Sequence, residues 1–353
     1  MNSMRIIGIM SGTSLDGIDL VCVDFDFSED QLKWNIIATS FFEYDEEWRN
    51  KLANAHLLSA TDLLSLDVEY GQYLGHKSNT FIQEKNLSEI DAIASHGHTI
   101  FHQPNKKFTL QIGHGAHIQT ITKLKVISDF RSQDVALGGQ GAPLVPIGDR
   151  LLFADYNACV NLGGFANISF DDSTGKRIAF DICPVNFVLN SLCREIGMDY
   201  DFNGEIASKA IVDSNLLNEL NSLPFYQQSA PKSLGREWVE THVDSILSNS
   251  SLSIESKIAT FTQHVAYQIA EVLNENQLNR VLFSGGGAKN LTLISHLENQ
   301  TQSEIIIANN QITDYKEALI FALLGALKLK GEINILSSVT GASRDSSGGI
   351  IYS

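Results

Sequence analysis

Positive charge is scarce in this sequence: 25 lysines and arginines stand against 41 aspartates and glutamates, a formal net charge of −16. A field of that sign repels phosphate polymers and anionic lipid surfaces, which argues against nucleic acid or a membrane as partner. A small anion is still admissible, because backbone N–H groups and one metal ion can hold it locally. Long hydrophobic runs are also lacking, and no window reaches the roughly 18 uninterrupted apolar residues of a membrane-spanning helix. The chain enters a strand pattern at Met4 with no basic-then-apolar leader layout. Its four cysteines, Cys22, Cys159, Cys183 and Cys193, lack metal-ligand spacing and stand in apolar runs. They read as buried reduced thiols of a cytoplasmic protein. No Gly-Lys-Ser/Thr phosphate loop, no His-Glu-x-x-His pair and no Gly-x-Ser-x-Gly elbow occurs, which removes the commonest nucleotide, zinc and serine-hydrolase signatures.

What remains is a globular balance, 43% hydrophobic and 19% charged, in 353 residues. That is too much chain for one comfortable core and suits two lobes. Residues 5–10 and 18–27 read as strands joined by a tight turn. Leu63, Leu66, Tyr70, Leu74, Lys77 and Phe81 recur at three- and four-residue steps behind Ser59 and Thr61, which predicts a long capped helix. Short strands follow at 91–95, 108–113 and 125–129, with a helix at 114–124. A second cycle opens with strands at 158–162, 166–170 and 177–182, then a helix from Pro184 to 196. Helices at 254–278, 288–298 and 314–330 alternate with strands at 280–283 and 303–307. Twice, then, the chain offers strand, glycine turn, antiparallel strand and further strands and helices, without sequence identity between the halves.

Three turns carry candidate chemistry. Gly12, Thr13, Ser14, Leu15, Asp16 and Gly17, followed by Ile18 and Asp19, can present successive N–H groups and two hydroxyls to an anion. On spacing alone, an ordinary Asp-Gly hairpin explains this turn equally well. Gly163 and Gly164 sit in a second turn from Asn161 to Asn167, which alone is better explained as a tight β-turn. Gly285, Gly286 and Gly287, with Asn290 beyond them, form a third between a strand and a helix. Three adjacent glycines cost conformational entropy, and close approach of a nucleotide would justify it.

Asp181 ends a predicted strand beside the break at Pro184, where a carboxylate can take a proton or hold Mg2+; capping the following helix is the alternative. Arg131 and Asp134 open a long polar, glycine-rich segment that includes Gln140, and such loops are usually functional. Arg131 could grip a carboxylate or phosphate, or simply pair with Asp134 at the surface. Five histidines crowd residues 96–117, but only crowding recommends zinc. Substrate hydrogen bonding suits His96 and His98 better, and a plain buried histidine suits His114 and His117.

Residues 8–19 closely resemble the opening signature of the anhydro-N-acetylmuramic acid kinases. The resemblance continues through 95–100, Asp129-Phe130-Arg131 with Asp134, 138–146, 161–169, Phe180-Asp181, 231–237, 285–290 and 340–342. It implies an α/β protein of two ribonuclease-H-like lobes of the actin and hexokinase type, with mixed five-stranded sheets, flanking helices and a nucleotide cleft between them. The expected division is 1–130 with 331–353, and 131–330. The resemblance further implies ATP, with Mg2+, as phosphoryl donor. The substrate would be 1,6-anhydro-N-acetylmuramic acid, opened by water and phosphorylated on O6 to N-acetylmuramic acid 6-phosphate in peptidoglycan recycling. Asp181 falls on the family's catalytic aspartate, residues 12–19 on its ATP-binding segment and Glu317 on a glutamate near the sugar. A homodimer is also implied. Two departures stand out. Many members read Asp-x-Gly-Pro-Gly-Asn where this chain has Asp181-Ile182-Cys183-Pro184-Val185-Asn186, and the superfamily aspartate before the first turn is replaced here by Met10 or Ser11. Mg2+ must then be held otherwise, with Asp181 through water as the candidate. A kinase of this fold for another amino sugar, and a nucleotide-gated scaffold, are the alternatives.

Overall fold

A computed structural model describes residues 3–12, 14–29 and 31–353, which form two compact units, 1–152 with 315–353, and 153–314. Unit 1 begins with β1 (Ser3–Ser11), β2 (Gly17–Asp26), β3 (Lys33–Glu43), β4 (Ala92–Ser95), β5 (His98–Gln103), β6 (Phe108–Ile112) and β7 (Lys125–Ser128). Its sheet runs β7-β4-β1-β2-β3, with β1–β2 and β2–β3 antiparallel and β1–β4 and β4–β7 parallel. Ile6, Ile7, Ile9, Leu20, Val21 and Ala92 to Ala94 are buried, the near-continuous apolar runs of strands covered on both faces. β5 and β6 pair as a separate hairpin.

Unit 2 repeats the frame with β8 (Ala158–Leu162), β9 (Phe165–Asp171), β10 (Arg177–Pro184), β11 (Arg280–Ser284) and β12 (Glu304–Ile307). The order is β10-β9-β8-β11-β12, again two antiparallel pairs followed by two parallel ones. Third-second-first-fourth-fifth in both sheets is the ribonuclease-H-like arrangement expected from the sequence. The first sheet departs from five strands in one respect: β13 (Ile350–Tyr352) pairs antiparallel with β7 and makes a sixth.

Helices cover the sheets where the apolar period requires them. Ala60–Glu84 is capped by Ser59, whose side chain accepts from Asp62 N–H, and buries Leu66, Tyr70, Leu74, Ser78 and Phe81. Gly71 and Gly75 let the helix Gly115–Thr122 approach it; a Cβ on Gly71 would stand 2.8 Å from the His114 carbonyl oxygen. In unit 2 the helix Ile254–Glu275, capped by Ser253, packs on the core around Val160, Ile168, Val188 and Phe283.

Two expectations need correction. Pro184 does not start a helix. It closes β10 opposite Phe165, at a strand end where a missing N–H is tolerated, and the helix runs Asn186–Glu195. Residues 131–152, and the helix Asn310–Lys330 from Tyr315 onward, all expected in the second lobe, belong to unit 1. Packing explains that assignment. A Cβ on Gly8 would lie 1.9 Å from the Ala318 carbonyl oxygen, Gly148 faces Ile320, and Lys316 makes a buried 2.7 Å ion pair with Asp149 of the helix Val145–Leu152.

Candidate functional site

The β1–β2 turn of unit 1 is braced by its own side chains. Ser14 Oγ donates to Asp16 Oδ1 at 2.7 Å, Gly17 N–H donates to the same oxygen at 3.0 Å, and Tyr44 N–H donates to the Asp16 carbonyl. Leu15 adopts φ +60°, a left-handed conformation that is uncommon for a leucine and marks a specified turn. Thr13 lies outside the described residues. Gly17 is glycine because its backbone lies against β3, where a Cβ would stand 2.4 Å from the Phe42 carbonyl oxygen. Gly12 has no such reason: its nearest neighbour would be Ser14 Oγ at 3.4 Å. Ile18 is sealed in the core, so only its backbone can face a ligand, while Asp19 is half-buried on β2.

Beside this turn unit 1 assembles a wall of neutral and cationic donors. His98 Nδ1 lies 2.8 Å from Ser11 Oγ, which lies 2.8 Å from Tyr44 Oη, and Tyr44 Oη meets Tyr70 Oη. Burial pushes the His98 imidazole down to about 4. His96 Nε2 accepts from Arg131 Nε at 3.1 Å, and burial together with the Arg131 charge takes this ring down to about 3. Arg131 also donates to the Gly141 carbonyl; its own burial lowers it to about 10, against the pull of Glu317 and Asp134, so it stays charged at neutral pH. Glu317 is open to solvent, as is the Gln140 side chain.

The alternative of an Arg131–Asp134 surface pair fails. Asp134 is completely buried and accepts from Gly141 N–H and Thr340 Oγ, both at 2.7 Å. The expectation that Asp134 touches substrate is corrected for the same reason: both its oxygens are engaged away from solvent, where they fix the loop that carries Gly141.

In unit 2 the second and third glycine turns prove to be one structure. β8 and β11 are parallel neighbours, with Asn161 opposite Ser284, so the turns that follow them emerge side by side. Gly163 and Gly164 carbonyls accept N–H groups from Val185, Asn186 and Phe187, and Asn186 Nδ2 donates to the Leu162 carbonyl. Gly285 has φ +84° and sits against Leu162, whose carbonyl oxygen a Cβ would approach to 2.7 Å; Gly287 would meet the Leu162 Cβ at 2.8 Å. Their glycines are explained by packing. Gly164 and Gly286 are different, with a Cβ on them finding nothing nearer than 3.8 and 3.9 Å, whereas one on Gly163 would press on Asn161 Nδ2 at 3.3 Å. Asn290 is nearly buried, and its Oδ1 caps the helix Leu291–Glu298 through Leu293 N–H.

Asp181 stands on β10 at a bulge. It pairs with Asn167, the register shifts, and Cys183 pairs with Ala166. A bulge bends the strand and re-aims the side chain beside it. The segment that resembles family residues at 231–237 closes on this point: Asp181 N–H donates to the Lys232 carbonyl at 3.1 Å, and Leu234 N–H donates to Asp181 Oδ2 at 2.8 Å. Burial raises the Asp181 carboxyl above its ordinary value, and the Leu234 N–H partly offsets that rise. Asp181 is not a helix cap, for the residue before Asn186–Glu195 is Val185 and no side chain caps that end. Cys183 and Val185, which replace the family glycines, are both fully buried in the unit 2 core. The substitutions point into the protein. Sequence reasoning missed Ser11, Tyr44 and Tyr70, because a hydrogen-bond chain spanning residues 11 to 98 leaves no local spacing.

Glycines left open by the protein's own packing suit a phosphate chain, so the turns fit a nucleotide. A resident metal fits poorly: among the described residues no group of three or more His, Cys, Asp or Glu could hold one. Among the described residues no helix is long and apolar enough to cross a membrane.

Two ribonuclease-H-like units with glycine turns closing their first strands are the frame of the sugar-kinase and actin-like class of proteins. The model of the family described as anhydro-N-acetylmuramic acid kinase matches residues 4–353, and the chain belongs to that family. It is 35% identical to the anhydro-N-acetylmuramic acid kinase of Haemophilus influenzae, over 100% of this chain and 98% of that protein. To the Clostridioides difficile enzyme of the same name it is 34% identical, over 96% of each. Among solved structures, the Acidaminococcus fermentans (R)-2-hydroxyglutaryl-CoA dehydratase component A is similar over 91% of this chain and 96% of that one, at 13% identity and a TM-score of 0.46.

Proposed function

We propose that this kinase opens 1,6-anhydro-N-acetylmuramic acid with water and phosphorylates O6, giving N-acetylmuramic acid 6-phosphate in the cytoplasmic recycling of peptidoglycan. The observation that carries the proposal is Asp181: a half-exposed carboxylate, aimed by a bulge, fixed by one N–H and raised above its ordinary value by burial. Such a group takes a proton from water more readily than an ordinary aspartate does. As water's oxygen bonds to C1, its proton passes to Asp181. The C1–O6 bond breaks, and O6 keeps the electron pair that accepts the phosphoryl group. ATP with Mg2+ would supply that group. The open glycines Gly12, Gly164 and Gly286, with Gly163, Ser14, Leu15, Asp16 and the backbone of Ile18, are the proposed hold on the nucleotide. Arg131, His98, Gln140 and Glu317 are the proposed sugar contacts, with His96 holding Arg131 in place and Asp134 fixing its loop. The family resemblance supports a homodimer.

Coupled ADP release with the anhydro sugar tests the reading. Wild-type enzyme is expected to turn over, and Asp181→Asn to lose about 10²–10⁴-fold in kcat while keeping its ATP affinity. ATP binding without turnover in the wild type would favour a nucleotide-gated scaffold. Turnover only with a different amino sugar would move the specificity, not the mechanism.

A further inference from the structure

The strap of chain that touches Asp181 has little to hold it in place. From Gln227 to Pro231 every residue is exposed, and Ser233 is exposed as well. Between them the half-buried Lys232 side chain turns inward. Its ammonium stands 4.7 Å from the centre of the Phe225 ring and 5.7 Å from that of Phe180, and donates to the Phe225 carbonyl at 3.3 Å. The Tyr226 carbonyl is 3.5 Å away, and among the described residues Lys232 makes no ion pair. Ring faces and carbonyl oxygens therefore hold the charge, while the methylene stem covers apolar surface. The turn that supplies those carbonyls, Pro224–Gln227, is itself fixed to the core. Phe225 is buried, and Tyr226 Oη lies 2.9 Å from Nε2 of the fully buried His264. The main chain of the strap then closes on Asp181 twice, along the outer edge of the outermost strand β10. The Lys232 carbonyl accepts Asp181 N–H, and Leu234 N–H donates to Asp181 Oδ2. Asp181 Oδ1 makes no hydrogen bond among the described residues, so the two carboxylate oxygens are not equivalent.

We propose that Lys232 is a positioning residue for Asp181: its ammonium pins the strap of residues 228–235 along the edge of β10, so that Leu234 N–H fixes Oδ2 and leaves Oδ1 as the oxygen that takes the proton. Lys232 acts through two main-chain groups and does not meet the reacting atoms. The pin depends on charge. A neutral side chain of similar length would keep the contact of the stem and lose the attraction of the rings and carbonyls. Without the pin, Leu234 N–H leaves Oδ2, and the carboxylate can turn away from the attacking water, a displacement to which proton transfer is sensitive. That Asp181 serves as the base rests on the kinase reading, whereas the pinning of the strap does not.

Amide hydrogen exchange on the full-length protein without ligands reads the pin directly. In the wild type the Leu234 amide is expected to exchange about tenfold or more slowly than the amides of Ser229 and Ser233, after correction for intrinsic rates. Lys232→Met keeps the stem, removes the charge and should erase most of that difference. The same variant should lower kcat about tenfold to a hundredfold while KM for ATP and for the anhydro sugar stays within about twofold, the split expected when the base is misplaced and binding is not. Lys232→Arg returns a cation to the rings and should recover most of kcat. A Leu234 amide as unprotected in the wild type as that of Ser229 overturns the pin, whatever the variants do. Loss of kcat in Lys232→Met with Leu234 still protected overturns it too, since the charge would then act by another route. A loosened Leu234 with kcat unchanged, in an enzyme that Asp181→Asn inactivates, overturns the positioning role and leaves the kinase reading intact. Loosening by Lys232→Met in a protein that never turns over the sugar defeats the proposed function and leaves the pinned strap standing.

Discussion

The two units share one strand order and carry opposite chemistry. In unit 1, burial lowers two imidazoles, His96 to about 3 and His98 to about 4, and leaves Arg131 charged beside them. That half offers donors. In unit 2, burial raises the carboxyl of Asp181, and that half offers a base. The same desolvation acts in both, and residue type alone decides whether it produces a neutral donor or a better proton acceptor. The third strands diverge as well. β3 is an edge strand whose side chains alternate between exposed and half-buried, while its counterpart β10 is bulged at Asp181. A repeated topology therefore fixes where a site can be built and says little about what is built there.

Several substitutions would break or sharpen this contrast. The largest effect is expected from restoring a family glycine in unit 2. Val185→Gly removes a fully buried side chain from the core and should cost about 2–4 kcal/mol in denaturant unfolding, while kcat/KM per folded molecule changes little. A large change in kcat/KM would mean that the replaced glycines shape the site after all. In unit 1, Arg131→Ala should lower kcat/KM about tenfold to a hundredfold, the range expected for hydrogen bonds to a charged group. Arg131→Lys should not rescue it, because one ammonium cannot meet His96 and Gly141 with the guanidinium's fork.

The triple glycine separates packing from binding within three residues. Gly285→Ala should cost at least about 1–2 kcal/mol, since φ is +84° and Leu162 is in the way. Gly286→Ala should leave stability nearly unchanged and raise KM for ATP. Equal loss of stability in both variants would remove the ligand argument for Gly286. The smallest effect concerns Asp181. Its folded value is raised above 3.8, so its contribution to stability is present below that pH and is lost as pH rises through the folded value. Asp181→Asn should therefore raise Tm by about 1–2 °C at pH 7 and by almost nothing at pH 3, as expected when a functional group is held at a cost to the fold. An equal shift at both pH values would rule out ionisation as the cause.

The inner strands of both sheets are legible in the sequence because burial on both faces writes them as apolar runs, as in Ile6 to Met10 and Ala158 to Leu162. β3 is not, for Lys33–Glu43 mixes polar and apolar residues at a half-covered edge, and its place is set by pairing with β2. Pro184 misleads, since a proline suits the end of a strand as well as the start of a helix. At the candidate site, the glycine turns, Asp181, Arg131 and the two histidines stand out because each is unusual for its local setting. The partners that define their chemistry do not stand out. Leu234 serves through its backbone N–H, which no side chain advertises, and Thr340 reaches Asp134 across 206 positions of chain.

The order of the units along the chain has a consequence during synthesis. Residues 153–314 are contiguous, so a ribosome delivers all of unit 2 in one stretch. Unit 1 is begun first and completed last. Until Tyr315 onward emerges, the surface around Gly8 and Gly148 has no helix to cover it, and β7 has no β13 along its edge. The nascent protein thus carries an apolar sheet awaiting its cover while the later half is already able to close, the state in which a multi-domain chain depends most on chaperones.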